Sequence, residues 1–565
     1  MSSATARPTP AAFARRALGS RLGIISLTFL SALAHNASGQ GNATVPPDDP
    51  AYRAVDRLID RGLVTHVIVG QRPYSRAVMA MIARGASVRL DSLEINGSAT
   101  LTIDRAAVRT IVAVATGGHS GSAPLPDRSG LASAPVRVAR LDALLTDAPT
   151  RSVPSNGLGS VEADLNTFTD NSFGERRVTG MNVSAQSEHW IETPHVAVQA
   201  RPRLWLREPR NDSTGHASAE LLALSARALQ GNVSLTVGRE YTFWSPDEKG
   251  GLFFGANAPA LDMIRVASDA PFVLPGLLRH LGDAAATIQV ADLGASVNNS
   301  HSLLVSYKVS VRPTDAFEAG ATFFNHFGGS GARGTSAFNR FVDLVPLLDV
   351  FRHHADSTDV SSDKLLGLDA RLRLARLAGV TLFGELALED FDRHRLYSIF
   401  HEDAAYSLGI VVPQVVLPAL SARLSVHSTG IRFYEHHLIT NGIAARRFLL
   451  GDELGHQARG ASALLRWERA TGAQVTGNVD VEERRNDFFD GTYVNPDQTG
   501  LVFRTVQTLP VERRARAVLS ASWFTRERHL MLRLSGGLER VANFGFVQSP
   551  ASTHGVASAG AALYP

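Results

Sequence analysis

The C-terminal half of the chain repeats short runs in which apolar and polar residues alternate. In one run, Leu366, Leu368 and Leu372 occupy one face, while Asp369 and Arg371 occupy the other. The same alternation returns at 303–311, 380–388, 473–481 and 530–538. A period of two residues predicts β-strands rather than helices.

The connections between these runs alternate in length along the chain. Short turns are predicted near Pro313, 378–379, 413–418, 471–472 and 526–527, and long connections at 328–363, 391–403, 431–456, 485–512 and 542–555. Outer-membrane barrels keep short turns on the periplasmic side and long loops outside. The pattern predicts an all-β transmembrane barrel whose last strand, about Gly555 to Tyr564, ends in the periplasm. A single strand of a soluble antiparallel sheet alternates in the same way, but many long strands, unequal loops and export together favour the barrel.

The N-terminus carries an export pattern. Arg15, Arg16 and Arg21 precede an apolar stretch from Leu22 to Leu33, and small residues follow it. This arrangement predicts a secretory signal peptide in residues 1–40, because the apolar stretch is shorter than the roughly twenty residues of a membrane-spanning helix. The predicted location is therefore the outer membrane.

Helical periodicity is confined to residues 46–118. Val55, Leu58 and Ile59 have helical spacing behind the capping carboxylates of Asp48 or Asp49, and Ser75 is placed to cap a second helix. A Gly/Ser/Pro-rich stretch follows. We predict a signal peptide at 1–40, a small periplasmic helical domain at 46–118, a linker at 119–135 and the barrel at 136–565, with an even strand count because the helical domain is periplasmic.

Composition and charge limit the classes of binding partner that the sequence predicts. The formal net charge is only +3, which gives no indication of nucleic acid binding. The chain has no cysteine, so it forms no disulfides. Mean hydropathy is −0.01, which suits a barrel whose apolar outer face contacts outer-membrane lipid while its lumen and loops are polar.

The polar face of the strands carries charges of both signs. They are Arg371, Arg373, Glu385, Glu389, Asp480, Glu482, Arg514, Arg516, Arg533 and Glu539. Opposed charges across a narrow lumen pair with one another, which favours an occluded interior; a wide pore of mixed charge is the alternative. Leu372 and Leu386, on the apolar face, are predicted to meet lipid at mid-membrane.

Residues 238–269 interrupt the strand pattern with aromatic residues, two prolines and paired glycines, which predicts a folded loop held by tight turns. Its distinctive residues are Gly238 and Arg239 at the end of a strand, Trp244 and Pro246 in a turn, and Asn257 in an Asn-Ala-Pro segment. In these residues the chain resembles the Wzi-type capsule-assembly outer-membrane proteins. Segments 52–58 and 72–75 resemble the periplasmic opening of the same family.

The resemblance implies a barrel of about eighteen strands with a periplasmic helical bundle. It also implies a lectin-like role in which capsular polysaccharide or exopolysaccharide is held at the cell surface. A polysaccharide export channel is a candidate partner of the helical domain. Ser245 stands where the family pattern has glycine.

One predicted outer loop combines aromatic rings with carboxylates and amides. Its candidate glycan-binding residues are Asp487, Phe488, Phe489, Asp490, Tyr493 and Asn495. Aromatic faces supply apolar contact area, and polar groups fix the orientation of a sugar. Alternatively, the rings pack the loop or join an interfacial girdle, which is the role predicted for Trp190, Trp205, Trp467 and Trp523.

The sequence shows no motif of a catalytic or cofactor-binding site. We predict no enzyme, no metal site and no cofactor, and the paired histidines 353–354 and 436–437 are assigned to solvated loops. A porin-like channel for small solutes is the main alternative function, and an outer-membrane hydrolase is a third. The porin requires an open lumen.

Overall fold

The computed structural model describes residues 41–95, 101–116, 131–153, 164–165, 168, 171–209, 215–295, 299–332, 362–389, 399–436, 439, 442–493, 501–525 and 529–564. The predicted signal peptide, most of the predicted linker, and Asn495, His353, His354 and His437 lie outside these residues. No helix among the described residues is long and apolar enough to cross a membrane.

Three helices precede the sheet: α1 Ala51–Asp60, α2 Arg76–Ile95 and α3 Leu101–Thr116. The Asp49 carboxylate accepts a hydrogen bond from the Ala51 backbone N at 2.9 Å, and the Ser75 hydroxyl accepts one from Val78 N at 3.2 Å. These contacts satisfy amides that a helix N-terminus leaves without intrahelical partners. The predicted apolar face of α1 is buried in a common core with α2 and α3.

The main sheet of the described chain is one closed antiparallel barrel. Its strands are β1 Ala132–Thr146, β2 Gly180–Glu192, β3 Val196–Pro209, β4 His216–Gln230, β5 Val233–Glu240, β6 Leu261–Ser268 continued by Phe272–Val273, β7 Asp283–Asp292, β8 Leu303–Thr314, β9 Phe317–Phe327, β10 Ser362–Leu374, β11 Val380–Glu389, β12 Ala404–Val412, β13 Leu420–Thr429, β14 Ala458–Glu468, β15 Gln474–Arg484, β16 Glu512–Phe524, β17 Leu530–Ala542 and β18 Ser552–Leu563. Both segments of β6 pair with β7, so the strands number eighteen, as the family resemblance implies. The barrel closes because β1 pairs with both β2 and β18.

Strand β1 begins before the predicted barrel boundary. Residues 132–134, whose composition suggested a linker, pair with residues 190–192 of β2. Small residues are found in linkers, but they also form a β-strand when a partner strand lies beside them. Composition alone does not reveal that partner.

The strand faces follow the predicted alternation. In β10, Leu366 and Leu368 are exposed on the outer surface, whereas Asp369 and Arg371 are buried on the inner face. This arrangement inverts that of a soluble protein and suits a barrel whose outer surface meets lipid. The tryptophans divide between the two faces. Trp467 and Trp523 lie on outward faces, but Trp190 and Trp205 are buried inward, so the girdle prediction is wrong for the latter pair.

The strand bounds place Leu368, rather than the predicted Leu372, at the middle of β10. Leu372 faces outward but lies two residues from the end of β10, and Leu368 occupies the middle of that strand. Leu368→Arg should therefore lower the free energy of unfolding by about 2–4 kcal/mol, while Leu372→Arg costs about 0–1 kcal/mol near the interface. Urea titration of the refolded variants in lipid measures both values. Equal losses at the two positions would contradict the register.

The connection lengths alternate as predicted. Seven of the connections that follow even-numbered strands are short, as at 231–232, 315–316 and 469–473, and the turn between β6 and β7 contains the 3-10 helix Gly276–Leu281. Long connections such as 241–260, 430–457 and 485–511 follow odd-numbered strands. We call the two ends of the barrel the short-turn end and the long-connection end. The strand count is even, so β1 begins and β18 ends at the short-turn end.

The N-terminal helices lie at the short-turn end. In α1, Arg57 forms an ion pair with Glu468 at 2.9 Å, and the backbone carbonyl of Asp60 accepts a hydrogen bond from Arg373 Nε at 2.7 Å. Both partners belong to the ends of strands, where the chain enters or leaves a short turn. These contacts fix the helices against the mouth of the barrel.

Candidate functional site

The connection between β5 and β6, residues 241–260, folds into the lumen and forms what we call the plug. Trp244 and Phe254 join its two arms by an antiparallel bridge, with Trp244 N to Phe254 O at 2.9 Å and ring centroids 5.0 Å apart. Gly250 has φ +144°, a conformation that residues with side chains rarely adopt. The turn residues and aromatic rings of 241–260 therefore produce a compact folded loop, as predicted. The prediction was wrong for residues 261–268, which form strand β6.

Apolar contacts hold the plug against the wall. Phe324, which points inward from β9, contacts the rings of Phe253 and Phe254 at centroid distances of 4.8 and 4.7 Å. Gly367 of β10 leaves room for Phe253, because a Cβ there would meet the Phe253 ring at 2.0 Å. All three phenylalanines are buried. The inner wall is therefore not uniformly polar: part of it is shaped to receive the plug.

Polar contacts complete the attachment. The Pro246 carbonyl accepts a hydrogen bond from Arg371 at 3.0 Å, and Leu252 N donates to Glu385 at 3.1 Å. On the opposite side of the plug, Lys249 Nζ donates to Asp480 at 2.6 Å. The charges on the inner face are thus paired partly with each other and partly with the plug, which agrees with the predicted occluded interior rather than with the wide mixed-charge pore.

The N-terminal segment enters the lumen from the other end. The carboxylate of Asp48 accepts hydrogen bonds from Arg140 at 2.7 Å and from Arg201 at 2.6 and 2.9 Å. Burial opposes ionisation of Asp48, but its attraction to Arg201 and Arg140 outweighs burial and holds the pKa of Asp48 well below its usual range. Glu318 of β9 accepts hydrogen bonds from Val69 N and Gly70 N at 2.8–3.0 Å. The lumen is thus occupied from both ends.

The residues that carry the family resemblance build this arrangement. Gly238 has φ +118°, and a Cβ there would lie 2.4 Å from the Leu224 carbonyl oxygen. Arg239 pairs with Asp262 at 2.7 Å on the outside of the wall. Trp244, Pro246 and Asn257 belong to the plug, and Asn257 Nδ2 donates to the Leu449 carbonyl at 3.0 Å. Trp244 and Asn257 are buried, so their observed contacts are with the protein's own interior.

Ser245, the departure from the family pattern, has a structural role. Its buried hydroxyl donates to the Gly250 carbonyl at 2.8 Å and accepts from Asp247 N at 3.0 Å. The side chain therefore closes the turn at the tip of the plug. Ser245 does not have a positive φ, so the turn does not require glycine at this position.

The predicted glycan-binding loop is a hairpin of Phe488–Tyr493 and Leu501–Gln507 that stands at the long-connection end as a separate two-stranded sheet. The candidate residues are not all brought together. Phe489 lies opposite Thr505, whereas Asp490 lies opposite Arg504 and points to the other face. Asp487 is buried at the base, where its side chain accepts a hydrogen bond from Leu509 N at 3.0 Å.

One face of the hairpin carries aromatic rings. Phe503, opposite Gly491, shares this face with Phe489, and the guanidinium of Arg432 lies 4.8 Å from the Phe503 ring centroid. Both rings are half-buried. Phe488, also half-buried, lies at a register shift beside Phe489. Sequence reasoning missed Phe503 and Arg432 because neither is adjacent in the chain to the candidate cluster.

The paired histidines include one clear correction. His436 is buried, not solvated as predicted, because the connection 430–457 folds back over the plug. In that connection the Tyr434 hydroxyl donates to the Leu252 carbonyl of the plug at 2.7 Å. The described residues contain no group of three or more side chains that could hold a metal ion.

Comparison with known proteins gives a family match and a fold match. The family model of capsule assembly protein Wzi matches residues 154–554. Wzi of Escherichia coli, described as an outer membrane protein involved in group 1 capsule assembly and a carbohydrate-binding β-barrel, is 15% identical with a TM-score of 0.63, over 93% of this chain and 99% of its own. OccAB1 of Acinetobacter baumannii is 10% identical with a TM-score of 0.40, over 75% and 95%. OprD of Pseudomonas aeruginosa is 9% identical with a TM-score of 0.37, over 75% and 95%. A search of curated protein sequences finds no match.

Proposed function

This chain belongs to the Wzi capsule assembly protein family, and on that premise we propose that it binds exported or capsular polysaccharide and retains it at the cell surface. The plugged lumen is the observation that carries the proposal. Because the lumen is filled from both ends, a polysaccharide chain cannot occupy a wide channel. The long connections are then the surface on which it binds. The porin-like alternative needs an open lumen and gains no support from these contacts.

The binding surface we propose is the aromatic face of the hairpin. Phe489 and Phe503 present ring area for sugar C–H groups, and Arg432, held by Asp403 at 2.6 Å, borders this face beside the Phe503 ring. Asp490 faces away from these rings, so its role is separable from theirs. Of the other candidates, Asp487 positions the base of the hairpin, and Phe488, Tyr493 and Asn495 stay in the proposed set.

The orientation follows as part of the proposal. With the short turns in the periplasm, the hairpin is extracellular and helices α1–α3 are periplasmic. The exposed surface of α2, which includes Val88, is then available to a partner such as a polysaccharide export channel. The family match and the barrel support the outer membrane as the location.

Substitution on the two hairpin faces tests the proposal. Phe489→Ala should lower cell-bound polysaccharide several-fold because it removes ring area from the binding face, while Asp490→Asn should leave it near the parent level. Polysaccharide is measured on washed cells, and barrel assembly is checked by heat-modifiable gel mobility. Val547→Ala, an exposed apolar truncation in the connection between β17 and β18, is the matched control. Normal retention by a well-assembled Phe489→Ala variant would remove this face from consideration.

A further inference from the structure

The plug does not fill the lumen evenly. Beside the wall formed by β12–β17 lie polar cavities of about 100, 360 and 30 Å³. Residues along strand β14 give the order of the three cavities from the short-turn end to the long-connection end. Glu468, at the short-turn end, lines the first; Leu464 lines the second; Ser462, further toward the long-connection end, lines the third.

Shared lining residues show how the cavities connect. Arg53 and Arg533 line both the first and the second, so these two spaces adjoin beside α1. Within the described residues, Lys249 of the plug is the lining residue common to the second and the third. Its Nζ donates to Ser462 Oγ at 2.5 Å and to Asp480 Oδ1 at 2.6 Å. The lysine thus crosses from the plug to the wall where the two spaces meet.

We propose that these cavities are one hydrated passage for small inorganic ions, and that Lys249 closes it. Carboxylates line all three cavities and guanidinium groups line the first two, and such surfaces hold water and ions rather than apolar solutes. The third cavity extends to Glu453, a half-buried residue of the connection 430–457. Shortening one side chain therefore joins the space at the short-turn end to the space beneath the long connections.

The wall can lose the lysine without leaving a carboxylate unpaired. Asp480 also accepts a hydrogen bond from Arg516 Nη2 at 2.7 Å. Lys249→Ala therefore removes an ammonium group and three methylenes from the passage, while Asp480 keeps a partner. The carboxylates of Asp480 and Glu482 remain beside the opening, so the passage should prefer cations.

Planar-bilayer recording of the full-length protein in potassium chloride tests the proposal. Lys249→Ala should show discrete current steps with a several-fold higher conductance than the parent and a reversal potential that indicates preference for K⁺ over Cl⁻. Lys249→Arg, which keeps a long cation facing Asp480, should stay closed. Polysaccharide retention should not change in either variant, so the outcome is independent of the proposed hairpin site.

A second variant approaches the same contact from the wall. Asp480→Asn weakens the attachment of Lys249 and should also raise the conductance, with less preference for K⁺ because a carboxylate is lost. Assembly of each variant is judged by heat-modifiable gel mobility. If only one of the two variants assembles, its conductance alone tests the proposal. An assembled Lys249→Ala barrel as silent as the parent, or a parent that already conducts as well as the variant, would overturn the proposal.

Discussion

Replacing Trp244 by alanine should lower the free energy of unfolding by about 3–5 kcal/mol, the range for truncating a fully buried aromatic residue. Trp244 packs edge-on against Phe254, contacts Phe324 at 6.2 Å between ring centroids, and is almost completely buried. Its removal leaves a cavity at the junction of plug and wall, where several strands prevent collapse. Urea unfolding in detergent or lipid measures the loss.

Trp467→Ala is the control for the loss of an indole as such. Trp467 is half-buried on the outward face of β14, where the guanidinium of Arg469 lies 4.8 Å from its ring centroid. Its truncation should cost clearly less. If the two variants lose the same stability, the plug is not a cooperative part of the barrel core.

Asp48→Asn should lower the free energy of unfolding by about 3 kcal/mol at neutral pH, the lower end of the range for breaking a buried ion pair. Arg140 and Arg201 lose the carboxylate they share and keep only Glu188 and Glu175, respectively. The pKa of Asp48 is depressed in the folded protein, so the ionised form contributes stability above the unfolded pKa of about 4. That contribution is lost as the pH falls through the folded-state pKa. The parent and Asp48→Asn should therefore differ most near neutrality and converge in acid.

Asp262→Asn provides the matched control for the Asp48 prediction. Asp262 pairs with Arg239 at 2.7 Å, but about half of its side chain is exposed. An exposed pair of this kind contributes about 0–1 kcal/mol. Unfolding curves of the two variants across a pH series should separate clearly, and equal losses would show that burial of Asp48 does not strengthen its ion pairs.

The strands could be predicted because each of them separates two media. Leu368 faces lipid and Asp369 faces the lumen. Neighbouring residues therefore alternate in polarity, and this alternation can be seen within a single strand. Turn lengths are local as well, and they identified the two ends of the barrel. The helix caps at Asp49 and Ser75 involve residues two or three positions apart and were equally readable.

The interior could not be predicted in the same way. Trp190 and Trp205 have the spacing of girdle residues, but Trp190 instead receives the guanidinium of Arg76 at 4.0 Å inside the lumen. The alternation of apolar and polar residues predicts which side chains share a face of the strand. It does not predict which other segment of the chain packs against that face. The place of Gly367 opposite Phe253, like the bond between Lys249 and Asp480, joins segments more than a hundred residues apart.

The seam between β1 and β18 has a consequence for assembly. The plug contacts β9, β10, β11 and β15, all of which are synthesised after it, and the N-terminal segment contacts β1, β3 and β9. Contacts between such distant segments form late, because loop-closure entropy must be overcome first. Pairing of the first and last strands joins residues more than 400 positions apart and is also a late contact. We therefore expect closure of the barrel and ordering of its contents to be one cooperative event.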